Sequence, residues 1–346
     1  MKKALQLLLI TGILLSTRCT TDFDLTAESE EIPIIFTLLN QNDSIHYVRV
    51  QRAYLIDGNA LDAAQVPDSI YYTDPEILHV TLKNVATGQT MGMTPVVGDT
   101  LEIFKELGVF ANSPNLLYQY IGMLNGENTH RVKVENLATG QKAVAYTNLI
   151  KSFIIKHPKA GRRLDFSDTL PINVTWVSAE NARLYDLNVR FHYREWNTSD
   201  PSLVFRKHVD WVVFRNETSI DADGGDDLKV QIDPSELFRL LRNKLGVHLD
   251  SIRRFDITNG LEFTFVAGGE ILYKYRLVLN AQSGLSSNEA VPTFTNVEGG
   301  LGVVSSSYEE IVKVVQMTDV SIDSLSCGRF TKDLNFLSSN GTLFCD

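Results

Sequence analysis

The chain has 346 residues, of which 44% are hydrophobic and 21% charged, and it carries a formal net charge of −10. At about 100–200 residues per domain, that is material for two domains with sizeable apolar cores. The acidic balance repels phosphate backbones and excludes nucleic acid as an expected partner.

The N-terminus opens on Met1-Lys2-Lys3 and runs into a Leu- and Ile-rich stretch from Ala4 to Leu15. A helix needs about 20 apolar residues to span a bilayer, and this stretch is shorter. A basic start followed by a short apolar run predicts a secretory signal peptide over residues 1–18. Cys19 stands where cleavage should fall, and Leu15-Ser16-Thr17-Arg18-Cys19 resembles a bacterial lipobox, with lipid carried on the Cys19 thiol. Arg18 departs from that pattern, which has a small residue before the cysteine. The plainer alternative is an ordinary signal peptide with an incidental cysteine. The polar, acidic residues that follow read as a flexible stalk, so 19–31 is expected to be a lipid-anchored linker.

From Ile32 onward the pattern is of strands. Candidates in the first half are Ile34–Leu39, Tyr47–Tyr54, Leu78–Val85, Leu116–Leu124, Arg131–Leu137 and Lys142–Thr147, giving an expected N-terminal β-sandwich over 32–157. Two of them run into the same tetrapeptide, Ala86-Thr87-Gly88-Gln89 and Ala138-Thr139-Gly140-Gln141. Two copies are too few for a solenoid and read as one hairpin turn used twice.

Pro158, Gly161, Arg162 and Arg163 interrupt the pattern and mark a boundary. Beyond it Ile172, Val174 and Trp176 alternate with polar residues. So do Tyr185, Leu187, Val189, Phe191 and Tyr193, then Leu228, Val230 and Ile232, then Leu261, Phe263 and Phe265. Ala267-Gly268-Gly269-Glu270 predicts a hairpin turn into a strand carrying Tyr273, Tyr275, Leu277 and Leu279. One helix is well marked: Asp233 caps it, Pro234 suits its first turn, Leu237, Leu240, Leu241 and Leu245 form a stripe, and Gly246 ends it. A weaker helical pattern covers Ser307–Val315. The expected fold class is all-β with minor α: two immunoglobulin- or fibronectin-III-like β-sandwich domains with one short helix. The second sandwich occupies 164–346 and includes a C-terminal tail.

With Cys19 assigned to lipid, Cys327 and Cys345 remain, and an even pair in an oxidising compartment predicts a disulfide; two free thiols are the alternative. G-x-S-x-G, H-E-x-x-H and P-loop motifs are absent, and the seven histidines are scattered singly. Asp221, Asp223, Asp226 and Asp227 offer the hard oxygens that calcium takes, which makes calcium the one candidate cofactor. Their spacing departs from an EF-hand, and an acidic hairpin tip between strands ending near Phe214 and starting at Leu228 is the plainer reading. Tyr71, Tyr72 and Trp196 are candidate sugar-stacking platforms if exposed, while core packing is the ordinary fate of such rings.

Three segments together carry a family resemblance. They are Cys19, the strand pair Ile32-Pro33-Ile34-Ile35-Phe36 with Tyr47-Val48-Arg49-Val50, and the glycine-rich Asn296-Val297-Glu298-Gly299-Gly300-Leu301-Gly302-Val303. The chain resembles the Bacteroidota envelope lipoproteins grouped as domain of unknown function 4249. That resemblance implies an outer-membrane lipoprotein, often encoded beside TonB-dependent receptors, and implies no activity. The O-glycosylation signal of such bacteria resembles Asp, then Ser or Thr, then an apolar residue. Ser44, Ser69, Thr100, Thr169, Ser251 and Ser324 stand in such triplets. Turn chemistry before a strand explains the same triplets equally well.

The expected function is therefore non-catalytic: an outer-membrane lipoprotein, facing the periplasm or the cell surface, that binds a protein or glycan partner as an accessory to a TonB-dependent import receptor. A fimbrial or adhesin-type subunit and an envelope hydrolase are the alternatives.

Overall fold

The computed structural model describes residues 31–53, 59–72, 74–167, 170–245, 251–282 and 293–343. It is mostly β and sandwich-like, with 48% of residues in strands and 18% in helices. The signal peptide, Cys19 and nearly all of the linker lie outside the described residues. Among the described residues no helix is long and apolar enough to cross a membrane.

The first half contributes β1 (Ile32–Leu39), β2 (Ile45–Ala53), β3 (Leu78–Asn84), β4 (Thr90–Gly92), β5 (Thr94–Val97), β6 (Leu116–Ile121), β7 (Thr129–Asn136) and β8 (Lys142–Asn148). Two short helices, α1 (Ala60–Ala64) and α2 (Pro67–Ile70), sit between β2 and β3. Strands β4-β3-β7-β8 form one sheet. Its inward residues Val80, Leu82, Val132, Val134, Ala143 and Ala145 pack with Ile35, Leu39, Val48 and Val50 of the facing sheet.

The repeated tetrapeptide is one turn built twice. Asn84 Oδ1 accepts from the amides of Ala86 and Thr87, and Asn136 Oδ1 accepts from those of Ala138 and Thr139. Gly88 and Gly140 take φ of 76° and 73°, which L-residues with a Cβ avoid.

The second half contributes β9 (Ile155–His157), β10 (Arg163–Leu164), β11 (Ile172–Val177), β12 (Ala182–Asn197), β13 (Asp200–Thr218), β14 (Asp227–Ile232), β15 (Ile252–Gly269) and β16 (Leu301–Met317). Its helices are α3 (Ser235–Leu245), α4 (Glu270–Gln282) and α5 (Asp319–Cys327). Trp176, Tyr185, Phe191, Phe263, Phe265 and Phe336 centre a second core. There the Tyr185 hydroxyl accepts from the Ala179 amide at 2.7 Å, and burial pushes its pKa up to about 12.

One sheet joins the halves, in the order β13-β12-β15-β16-β1-β2-β6-β5, with β10 also pairing β16. β16 pairs antiparallel with β15 over Ser307–Val315 and parallel with β1 over Leu301–Ser306. The C-terminal segment thus returns to the first half, and Val297 and Val304 pack in the first core. The glycine-rich approach serves that return. Val144 and Glu298 exchange backbone hydrogen bonds of 2.8 and 2.9 Å. Asn296 brackets Val304, accepting from its amide at 2.9 Å and donating to its carbonyl at 2.8 Å.

Three local expectations are corrected. The strand expected through Tyr273, Tyr275, Leu277 and Leu279 is helix α4. Ile271, Leu272, Tyr275 and Val278 are half-buried while Lys274 and Leu277 are exposed, which is a helical period, and Lys274 pairs with Glu270 one turn earlier at 3.0 Å. Alternation over four residues was only a part of that fuller apolar pattern. The weak helix over Ser307–Val315 is the middle of β16, where Tyr308 and Val312 point inward and pair across to Ala267 and Phe263. The β-branched residues of this stretch suit a strand. Finally, five α-helices rather than one occur among the described residues.

Candidate functional site

The acidic segment is not the expected hairpin tip but a link between two sheets, since β13 and β14 belong to different sheets and do not pair. Asp226 Oδ2 accepts from the Ile220 amide at 3.0 Å, Asp221 Oδ1 accepts from the Asp223 amide at 2.9 Å, and Asp227 meets Lys156. Among the described residues no three His, Cys, Asp or Glu side chains gather as a metal site requires.

Cys327 is disulfide-bonded, and Cys345 lies outside the described residues. A Cys327–Cys345 bridge closes a short loop, for which the chain-entropy model gives about 3 kcal/mol. Reduction is expected to lower the urea midpoint accordingly, and a non-reducing peptide map should return a linked 327/345 fragment. A fragment linking Cys327 to Cys19 would overturn both this pairing and the lipid assignment.

Of the O-glycosylation candidates, Ser44 and Thr100 are exposed, while Ser69, Ser251 and Ser324 are half-buried. Ser69 and Ser324 sit within helices α2 and α5, and Thr169 lies outside the described residues. Tyr71 and Tyr72 are 2% and 6% exposed, so neither is a stacking platform. Tyr71, just past α2, packs with Ile70, Ala111 and Leu116, and Tyr72 packs in the first core. Trp196 is half-buried and stays available on one face.

That face is the solvent side of the far end of β12, β13 and β15. Strand register places Arg190, His192 and Arg194 opposite Asp210, His208 and Arg206, and places Arg194 and Trp196 opposite Phe255 and Arg253. Residues directly opposite share a face, so four arginines and two aromatic rings extend along one surface there, joined by two histidines. Arg190 is satisfied by Asp210 through contacts of 2.6 and 2.9 Å, and each holds the other's charged form, raising the guanidinium pKa and lowering that of the carboxyl. Arg194 lies over the Phe255 ring at 5.2 Å. The His192 and His208 rings stand 5.9 Å apart. Burial lowers the His192 pKa, and the charges of His208, Arg190 and Arg206 lower it further against the pull of Glu262. Phe255, Arg206 and His208 gave no motif in the sequence; the hairpin of β12 and β13 and its pairing with the more distant β15 bring them beside Trp196.

Cavities also open among the described residues. One of about 430 Å³ is lined by His157, Asp165 and Ser167 among others. Asp165 accepts from the Ser167 amide at 2.8 Å, and the Ser167 contacts hold its carboxyl below the usual range. Among the described residues no hydrogen bond is seen between His157 and Asp165, so the order serine–histidine–carboxylate of a nucleophilic triad is not assembled there. A smaller cavity of about 240 Å³ lies where Asn148, Asn181 and Ser305 meet. The third, also about 430 Å³, lies under α4.

No family model matches the chain, and no curated protein does.

Proposed function

We propose that this protein is a non-catalytic envelope lipoprotein, tethered to the outer membrane through Cys19, that binds an anionic protein or glycan partner as an accessory to a TonB-dependent import receptor. The address rests on the signal-like N-terminus and the lipobox-like cysteine. The observation that carries the binding role is the cationic and aromatic surface of β12, β13 and β15 on a chain whose net charge is −10. Guanidinium groups with flanking rings suit carboxylates or phosphates carried on sugars or acidic side chains.

The test is affinity purification of the tagged protein from detergent-solubilised membranes of its native host, beside the double variant Arg194→Gln/Arg206→Gln. A stoichiometric TonB-dependent receptor with the wild type, lost roughly tenfold or more in the variant and weakened by salt, is the expected result. Recovery of no partner, or one insensitive to both arginines, would overturn the reading.

One observation favours the fimbrial alternative. Among the described residues β13 ends the joining sheet with one edge unpaired, and its Leu203, Val204 and Phe205 are exposed. An edge of that kind accepts a donated strand. A ladder of self-assembled subunits in the same purification would move that reading ahead.

A further inference from the structure

The third cavity lies away from the cationic surface, on the outward side of the joining sheet. Alternation in β1 sends Ile35 and Leu39 into the first core and leaves Phe36 and Leu38 on the opposite face. The same rule leaves Tyr47 and Arg49 outward from β2. Leu117 and Val303 join them, and Leu272 and Tyr275 of α4 roof part of the space. A mainly apolar cavity of about 430 Å³ with a few polar groups falls in the range of small-molecule sites.

Arg49 gives this cavity its chemistry. Its Nη2 donates to Asn115 Oδ1 at 3.0 Å, and Asn115, itself buried, donates to the Ile103 carbonyl at 2.9 Å. The guanidinium is thus aimed by a fixed partner. Its Nε is buried without a hydrogen-bond partner, and among the described residues Arg49 forms no ion pair. The nearby charges do not cancel it. Lys105 stands close enough for Arg49 to disfavour its charge, after burial, which is the larger cause of its lowered pKa. Asp99 is the neighbouring anion, and its Oδ2 is already engaged by Ser113 at 2.9 Å and the Asn115 amide at 3.0 Å. Arg49 is the one charged residue among the described residues lining this otherwise mainly apolar cavity.

We propose that this cavity binds a single-chain amphiphile with a carboxylate head, the carboxylate on Arg49 and the hydrocarbon against Leu38, Leu117, Leu272 and Val303. The site does not depend on the partner-binding reading, since the two use different strands and different residues.

The test is calorimetric titration of the whole purified protein with octanoate, decanoate and dodecanoate, and with the alcohols of the same lengths. Affinity is expected to rise about fourfold per added methylene until the chamber is full. Each carboxylate is expected to bind at least roughly tenfold more tightly than its alcohol. Arg49→Gln is expected to erase that preference while leaving the alcohols unchanged, with an unaltered urea midpoint as the folding control. Leu38→Trp, at an exposed position on the cavity wall, is expected to weaken both series more than tenfold. Absence of saturable binding to the wild type, or a carboxylate preference that survives Arg49→Gln, would overturn the proposal. A Leu38→Trp protein that binds as the wild type does would overturn it too.

Discussion

Replacing Gly302 by alanine is expected to destabilise the protein by about 3–5 kcal/mol, read as a shift of the urea unfolding midpoint. Gly302 faces Ile35 in the parallel pairing of β16 with β1 and has φ of 110°. A Cβ there would stand 2.0 Å from the Ile35 carbonyl oxygen and 2.7 Å from its amide nitrogen. Both are main-chain atoms of Ile35, which is wholly buried, so relief requires moving β1 away from β16. That seam joins the two halves of the sheet, so the variant should also become sensitive to limited proteolysis between them. Gly92, with ordinary φ and open space around it, is the control, and its alanine variant is expected to stay within about 0.5 kcal/mol. Equal stability of the two variants would show that the seam does not need the close approach.

The second large effect is expected at Glu195. Arg254 is 1% exposed and pairs with Glu195, 13% exposed, at 2.8 Å. It also donates to the Leu334 carbonyl at 2.5 Å, and its backbone bonds Asn335 and Leu337, so it fastens the C-terminal segment to β15. Desolvating a cation is costly, and removing its anion leaves the cost uncompensated. Glu195→Gln is therefore expected to cost about 3 kcal/mol. The double variant Glu195→Leu/Arg254→Met should cost less than the single one, because no buried charge is left unpaired. A double variant worse than the single would sink this account.

The pH dependence carries a sign. Burial pushes the Glu195 carboxyl up, but the hydrogen bonds and charges of Lys207 and Arg254 outweigh it and hold its pKa below the ordinary 4.5. Its contribution is therefore fully present above that ordinary value and is lost as pH falls through the folded one. Asp256 works the other way. Burial raises its pKa, so acid relieves a desolvated charge there. Glu195→Gln should accordingly flatten the loss of stability below pH 4.5.

How much of this was legible beforehand follows from the range of each interaction. Alternation is a local property, so β1, β2, β3, β6, β7, β8, β11, β12 and β14 could be read from their own residues, as could the cap and stripe of α3. The duplicated turn was legible because Asn, Thr and Gly act on backbone within five residues. Partners were not local. Nothing in Leu301–Met317 says that its first third pairs with β1 and the remainder with β15. Nor does α4 announce itself, because its inner face is defined by the sheet it covers. The same holds for both candidate sites. Arg49 and Leu272 are far apart in sequence, as are Trp196 and Phe255, and each pair meets only because strand order brings them together. Charge, the signal-like N-terminus, the cysteine count and the β character belong to the sequence by itself, because composition and period are enough to set them. The joined sheet, the buried Arg254–Glu195 pair, the burial of Tyr71 and Tyr72, and the cavity at Arg49 were decided by tertiary structure, because each is an energy of contact between segments whose pairing no local pattern encodes.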